Sequence, residues 1–200
     1  MKIKYELFLY DRDVRKKYPV LCGIDEAGRG PLAGDVFAAA VILPENAVIG
    51  GLDDSKKLTE KKREMLFEEI KQKATAYGIG IATVAEIEKM NILNAAMLAM
   101  ERAYEKMAVA ADIALVDGNR LPLLSTHTAA IVKGDGKSAS IAAASVLAKV
   151  SRDRYMTAMA DKYPQYGFEK HKGYGTKMHY ERLKEFGLSE IHRRSFVKKI

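Results

Sequence analysis

The chain has 200 residues, 48% of them apolar, with one cysteine and a net charge of +7. That size suits one ordinary domain with a real core, and the lone thiol excludes an internal disulfide framework. No low-complexity tract or solenoid-length repeat interrupts it.

The opening stretch, MKIKYELFLYDRDVRKKYPV, scatters charge throughout, so neither a secretory leader nor a membrane anchor is expected, and a cytoplasmic protein is. Val20 to Glu26 reads as a buried strand running into the turn AGRGPLAG. Cys22 lies within it and reads as a buried small hydrophobe rather than a catalytic thiol. Asp35 to Leu43 is a second apolar run, and the two predict an antiparallel pair. Thr59 to Ala74 carries a capping-type threonine and apolar residues at Met65, Leu66 and Ile70, which predicts a helix. Tyr77 to Val84 is a third strand, followed by a helix from about Asn91 to Ala110 with alanines at helical spacing.

Ile113 to Asp117 and Ala129 to Lys133 are then short strands, and Ser138 to Tyr155 an alanine-rich helix with Ser138 or Ser140 as N-cap. The order strand, long helix, strand implies a parallel crossover. The predicted architecture is α/β: a three-stranded meander and two further strands joined through helices, with helices on both faces. From Lys170 to Ile200 nine Lys/Arg face three Glu, so this segment holds +6 of the net charge. With Phe168, Tyr174, Tyr180 and Phe186 interspersed it suits a phosphate backbone, although a solvated terminal helix has the same composition.

Two motifs mislead. Gly28 to Ala33 fits G-x-G-x-x-G/A, with Asp53 or Asp54 near the ribose-binding offset, but a strand rather than a helix follows and Pro31 interrupts it. Gly134-Asp135-Gly136-Lys137-Ser138 resembles the end of a P-loop, but Ile131 stands where its first glycine belongs.

The acids are more informative. Asp25 and Glu26 end one apolar strand, Asp117 ends another, and Asp135 follows a third just ahead of a helix. If the first and fourth strands pair in parallel, their carboxyl ends bring Asp25 and Asp117 together at the edge where open α/β sheets bind ligands. Clustered carboxylates repel unless a cation neutralises them, and a hard ion such as Mg²⁺ or Mn²⁺ suits oxygen donors. His127, His171, His179 and His192 lack metal-ligand spacing. Each acid alone is explained as a turn or cap residue. Neighbouring strand residues face opposite sides, so Asp25 and Glu26 can share an ion only if the strand has broken at the glycine turn.

The segments GIDEAGRGPLAG (23–34), LDDSKKL (52–58), NILNAAMLAM (91–100), VDGN (116–119), KGDGKSASIAAASVLAKVSRDR (133–154) and YGFEKHKGYGTKMH (166–179) resemble, in order, the motifs of ribonuclease HII. The resemblance implies a ribonuclease H-like mixed five-stranded sheet flanked by helices. It divides the chain into a catalytic domain over 1–160 and a basic substrate-binding extension over 161–200. Asp25, Glu26, Asp117 and Asp135 become the catalytic metal ligands, holding two Mg²⁺ or Mn²⁺ that flank the scissile phosphate. The substrates implied are RNA/DNA hybrids and duplex DNA containing single ribonucleotides, cut to leave a 5′-phosphate, as in repair and primer removal.

Within the resemblance, Gly28, Arg29 and Gly30 recognise a 2′-hydroxyl through the backbone, and Tyr174 packs on the adjacent deoxyribose. Lys56, Arg29, Ser138 and Ser140 are candidate phosphate contacts, while Lys149, Arg152 and Asp153 read as structural. A monomer is expected, and any replication-clamp contact is left open. The rival readings are another nuclease or recombinase of the same fold, a non-catalytic duplex-binding module, and a nucleotide-dependent oxidoreductase.

Overall fold

Five apolar runs become the strands of one mixed sheet in a computed structural model that describes residues 3–197. Strands β1 (Leu21–Ala27), β2 (Val36–Ile42) and β3 (Ala76–Ala82) form an antiparallel meander. Strands β4 (Ile113–Asp117) and β5 (His127–Ile131) add to it in parallel, giving the order β3-β2-β1-β4-β5. The expected β5 was two residues too far along. As an edge strand it is only half covered, so Val132 and Lys133 fall in the exposed turn beyond it. Nor is every crossover helical: residues 118–126 connect the parallel neighbours β4 and β5 without a helix.

The described residues form six α-helices: α1 (Tyr5–Arg15), α2 (Glu60–Lys73), α3 (Val84–Met107), α4 (Ala139–Lys162), α5 (Phe168–His171) and α6 (Lys177–Phe186). Alternation along the central strands divides two cores. Cys22, Ile24, Ala38 and Ala40 point toward the alanine face of α3, while Ala39 and Val41 meet Ala142, Ala143 and Leu147 of α4. Alanine on both helices permits close approach to the sheet. Leu147 is fully buried, and its truncation to alanine would cost about 2–5 kcal/mol.

Helix α3 starts earlier than its sequence indicates. Thr83 and Glu86 form a capping box, so β3 ends at Ala82 and Val84 is already helical. Asn91 then breaks the helix at φ 70° and caps its longer C-terminal part, with Oδ1 accepting from the amides of Leu93 and Asn94 at 3.0 and 3.1 Å. Helix α1 was not anticipated. Its segment is charged all round and buries only Leu7 and Asp11. Among the described residues no helix is long and apolar enough to cross a membrane. Lys198 and Lys199, two of the basic residues counted above, lie outside the described residues.

Candidate active site

Parallel pairing of β1 with β4 ends at Ile24 opposite Val116, so the next residue on each strand, Asp25 and Asp117, stands where the two strands part, each still paired on its other side. Asp117 Oδ1 accepts the Gly134 amide at 2.6 Å, which ties β4 to the turn carrying Asp135. Asp25 Oδ1 accepts the Glu26 amide at 2.7 Å. The four acids read from the sequence therefore occupy one end of the central strands. The strand break that sharing one ion would require at Glu26 does not occur, since β1 runs on to Ala27. On its β2 side β1 stays in register through Asp25–Ala39, Glu26–Ala38 and Ala27–Phe37, and it parts only from β4. Alternation thus persists, with Asp25 turned toward α4 and Glu26 toward the opposite side. Among the described residues, accordingly, no three acidic, histidine or cysteine side chains already close on a common metal position.

Charge confinement is pronounced. Burial, then repulsion from Glu26 and Asp117, pushes the Asp25 carboxyl well above the usual carboxylate range. Burial likewise raises Glu26, against the opposing pull of Arg29, whose Nη1 lies 3.3 Å from its carboxylate. Asp135 is raised by burial and by Asp117 and Asp54. Asp54 is an acid the sequence reading considered only for a ribose. No described cation forms a salt bridge with Asp25, Asp117 or Asp135. Lys56 comes nearest in effect: burial depresses its ammonium, but Asp25, Asp135, Asp54 and Asp117 together outweigh that and hold it above its usual range.

Of these residues Asp25, Glu26 and Lys56 border a cleft of about 420 Å³ whose far wall is Gly28, Arg29, Gly30, Lys149 and Tyr174. A β-carbon on Gly30 would lie 3.8 Å from the Tyr174 ring, so the turn and the tyrosine face each other. Lys149 Nζ sits 5.8 Å above the same ring and 2.7 Å from Asp153. A larger hollow of about 590 Å³ beside α1 lies elsewhere, and its Asp53 is already paired with Lys4 at 2.6 Å.

Ser138 and Ser140 do not reach the cleft. Both are fully buried, and their hydroxyls donate to the Asp11 carboxylate at 2.6 and 2.7 Å, so they anchor α1 to the start of α4 rather than meet a phosphate. A different serine is near: Ser145 on α4 stabilises the Asp25 carboxylate and shares a 2.8 Å hydrogen bond with Ser55.

The basic C-terminal segment is also not uniformly a surface. Arg193 is fully buried beneath the GRG turn and donates to the carbonyls of Gly28, Arg29, Pro31 and Gly34. Phe168, too, is core rather than a stacking platform, whereas Tyr174, Tyr180 and Phe186 are exposed. Arg152 is similarly buried, bonded to the carbonyls of Ala33, Asp35 and Lys172. Gly28 has φ +103°, a left-handed value that favours glycine, and a β-carbon there would fall 2.1 Å from Arg152 Nε. Arg152 has the structural place read for it from the sequence, whereas Arg193 was counted only among the basic residues, because a sequence cannot tell a guanidinium solvated by water from one solvated by carbonyls.

A central sheet of this order, acids at the carboxyl end of its middle strands, and helices on both faces define a ribonuclease H-like hydrolase. Residues 22–199 match the family described as Ribonuclease HII, and the chain belongs to that family. It is thereby an endoribonuclease of the ribonuclease H type. Ribonuclease HII of Caldicellulosiruptor bescii is 56% identical over 183 residues, covering 92% of this chain and 89% of that protein. The crystal structure of ribonuclease H2 from Pyrococcus horikoshii superposes with a TM-score of 0.72 at 27% identity, over 88% of this chain and 92% of that one. A Bst-RNase HIII solved in complex with Mn²⁺ shares the fold, with a TM-score of 0.66 at 14% identity over 84% of this chain and 63% of that one.

Proposed function

We propose that this endoribonuclease hydrolyses the RNA strand of RNA/DNA hybrids and cuts 5′ to single ribonucleotides embedded in duplex DNA. The observation that carries the metal-dependent part is the set of like-charged carboxylates at one sheet edge, where burial raises Asp25 and Asp135 and only Glu26 has a salt-bridge partner among the described residues. Asp25, Glu26, Asp117 and Asp135 offer only oxygen donors, which fits Mg²⁺ or Mn²⁺ better than zinc. Asp25 and Asp117 each use Oδ1 on a backbone amide, so their Oδ2 oxygens are the ones that would meet an ion. Two such cations would supply an activated water and charge stabilisation for the leaving oxygen.

The rest is done by the chain itself. Lys56 brings a cation held by the acids to the phosphate side of the cleft. Backbone groups of Gly28, Arg29 and Gly30 can pair with a 2′-hydroxyl, which both donates and accepts, without reading a base. The half-exposed Tyr174 ring offers its face to the neighbouring deoxyribose. Residues 161–200 serve as a basic extension for the duplex backbone, without the buried Arg193. Incubating the enzyme with an end-labelled DNA duplex holding one ribonucleotide, with Mg²⁺ or Mn²⁺, should give one cut on the 5′ side of that ribonucleotide. Cutting of the matching all-DNA duplex, or cutting in excess chelator, would overturn the reading.

A further inference from the structure

Two sets of hydrogen bonds leave the adjacent residues His192 and Arg193 and end on the two halves of the substrate-recognition wall. All five N–H donors of Arg193 are used on backbone carbonyls. Nε and Nη2 reach Gly34 at 2.9 and 2.7 Å, Nη2 also reaches Gly28 at 2.6 Å, and Nη1 reaches Arg29 at 3.0 Å and Pro31 at 2.9 Å. With those carbonyls committed, the peptide planes of the turn cannot flip, and the backbone groups offered to the cleft are fixed.

His192 serves the other half through a chain with a single tautomer assignment. The Ser189 amide can only donate, at 2.8 Å, so His192 Nδ1 is unprotonated and its Nε2–H donates to His179 Nε2 at 3.0 Å. His179 Nδ1–H then donates to the Tyr174 carbonyl at 2.9 Å. The two halves are also joined directly, by the Leu32 amide on the Gly173 carbonyl at 2.8 Å. Gly173 has φ +83°, and a β-carbon there would strike the Ala33 carbonyl oxygen at 2.6 Å, so nothing larger fits this seam. A buried guanidinium and three buried imidazoles are a costly way to fill a core that apolar side chains could fill. What they provide is geometry.

We propose that His192 and Arg193 are positioning residues that set the spacing between the GRG turn and Tyr174, and with it the enzyme's selectivity for a ribonucleotide–deoxyribonucleotide junction. The inference rests on the reading of the turn and Tyr174 given above. Neither residue touches substrate. Arg193 acts through the turn and His192 through His179 and Tyr174.

The test compares Arg193→Lys, His192→Phe and Tyr174→Ala on a duplex with one ribonucleotide and on a continuous RNA/DNA hybrid, with melting temperatures alongside. Lysine keeps the charge but not the five-donor fork, and phenylalanine keeps the ring packing against Tyr166 and Phe168 but not the hydrogen bonds. A displacement near an ångström costs roughly a hundredfold in rate. Tyr174→Ala should therefore lose on that order in kcat on the single ribonucleotide. The two positioning variants should lose at least about tenfold there, with KM nearly unchanged and a smaller loss on the hybrid. Because His192 acts through Tyr174, adding His192→Phe to Tyr174→Ala should cost less than about twofold more. Should Arg193→Lys fail to fold, His192→Phe and the double variant carry the test.

If Tyr174→Ala is selective but the positioning variants lose both substrates equally or additively, the spacing role is overturned while the junction reading stands. If Tyr174→Ala itself affects both substrates equally, the junction reading falls, and the role of His192 and Arg193 with it.

Discussion

The acidic end of the cleft and the wall behind the GRG turn are both buried and polar, and they handle that condition in opposite ways. At the sheet edge four carboxylates share a small volume, none but Glu26 has a salt-bridge partner among the described residues, and Asp25, Glu26 and Asp135 are pushed toward the protonated form. A few residues away Arg193 has an acceptor for every donor, and His171, His179 and His192 form a neutral, fully matched array. The first region is incomplete by itself and the second is complete. Unmatched charge marks where something must still arrive, whereas matched charge marks what must not move.

The most damaging way to test that contrast is Asp117→Asn. It removes one of the repelling oxygens and should lower cleavage by more than about a hundredfold while duplex affinity, which rests on phosphates elsewhere, barely changes. Single-turnover cleavage beside a gel-shift titration checks it, and residual cutting above about one per cent of wild type would remove Asp117 from the ion-binding set.

Next in size is the completed region. Arg152→Met strands the buried carbonyls of Ala33, Asp35 and Lys172, and urea unfolding should show a loss of about 3 kcal/mol. A loss under about 1 kcal/mol would mean that water replaces the guanidinium readily and that this wall is less closed than its hydrogen bonds imply.

Acid should separate the two regions. Burial holds the His179 and His192 imidazoles down at about 4, so between pH ~6.5 and ~4 the unfolded chain binds protons that the folded chain refuses, and stability falls as pH falls. The cleft has the opposite sign. Carboxyls raised by folding favour the native state at low pH and oppose it as pH rises through their folded values. For the metal-free enzyme, urea midpoints at pH 7 and pH 5 should show a net decline of on the order of 2 kcal/mol, clearly reduced in His192→Phe. An identical decline in the variant would place the acid sensitivity elsewhere.

The smallest effect expected is thermal. Mg²⁺ or Mn²⁺ at ten times its dissociation constant should stabilise the fold by about 1.4 kcal/mol and raise the melting temperature by roughly 3–6 °C at pH 7. Asp117→Asn should lose most of that rise. An equal rise in the variant would point to an ion bound at another place.

Much of the sheet was legible because its central strands are buried on both faces and show as apolar runs, and because a strand–helix–strand order forces a parallel pair. That pairing alone brings Asp25 and Asp117 to one edge. The edge strand β5 was misplaced because half its residues face water. Helix α1 was invisible because it docks through only two buried side chains, one of them an aspartate. The continuation of β1 past Glu26 could not be read either: a strand can stay paired on one side while released on the other, and composition does not record sides. Ser138 and Ser140 were drawn to phosphate because hydroxyls at a helix start so often go there, and nothing local reveals that Asp11 already occupies them. Arg193 and the three buried histidines were hidden for a shared reason. Their partners are backbone carbonyls and one another, which no motif spells out.

The Asp11 contact has a consequence for how the molecule is made. Its carboxylate accepts from Ser138 Oγ and from the amide and hydroxyl of Ser140, across 127 and 129 residues of chain. Closing a loop that long costs about 4 kcal/mol of chain entropy beyond a constant, so the knot cannot lead folding and must be tied late, once the sheet has drawn its ends together. During synthesis Asp11 emerges long before the serines that donate to it, so its carboxylate stays unpaired until the start of α4 has been made. A chain begun at residue 22 would keep Asp25, Glu26, Asp117 and Asp135 but leave the hydroxyls of Ser138 and Ser140 without the carboxylate they donate to, a defect felt first as slow maturation.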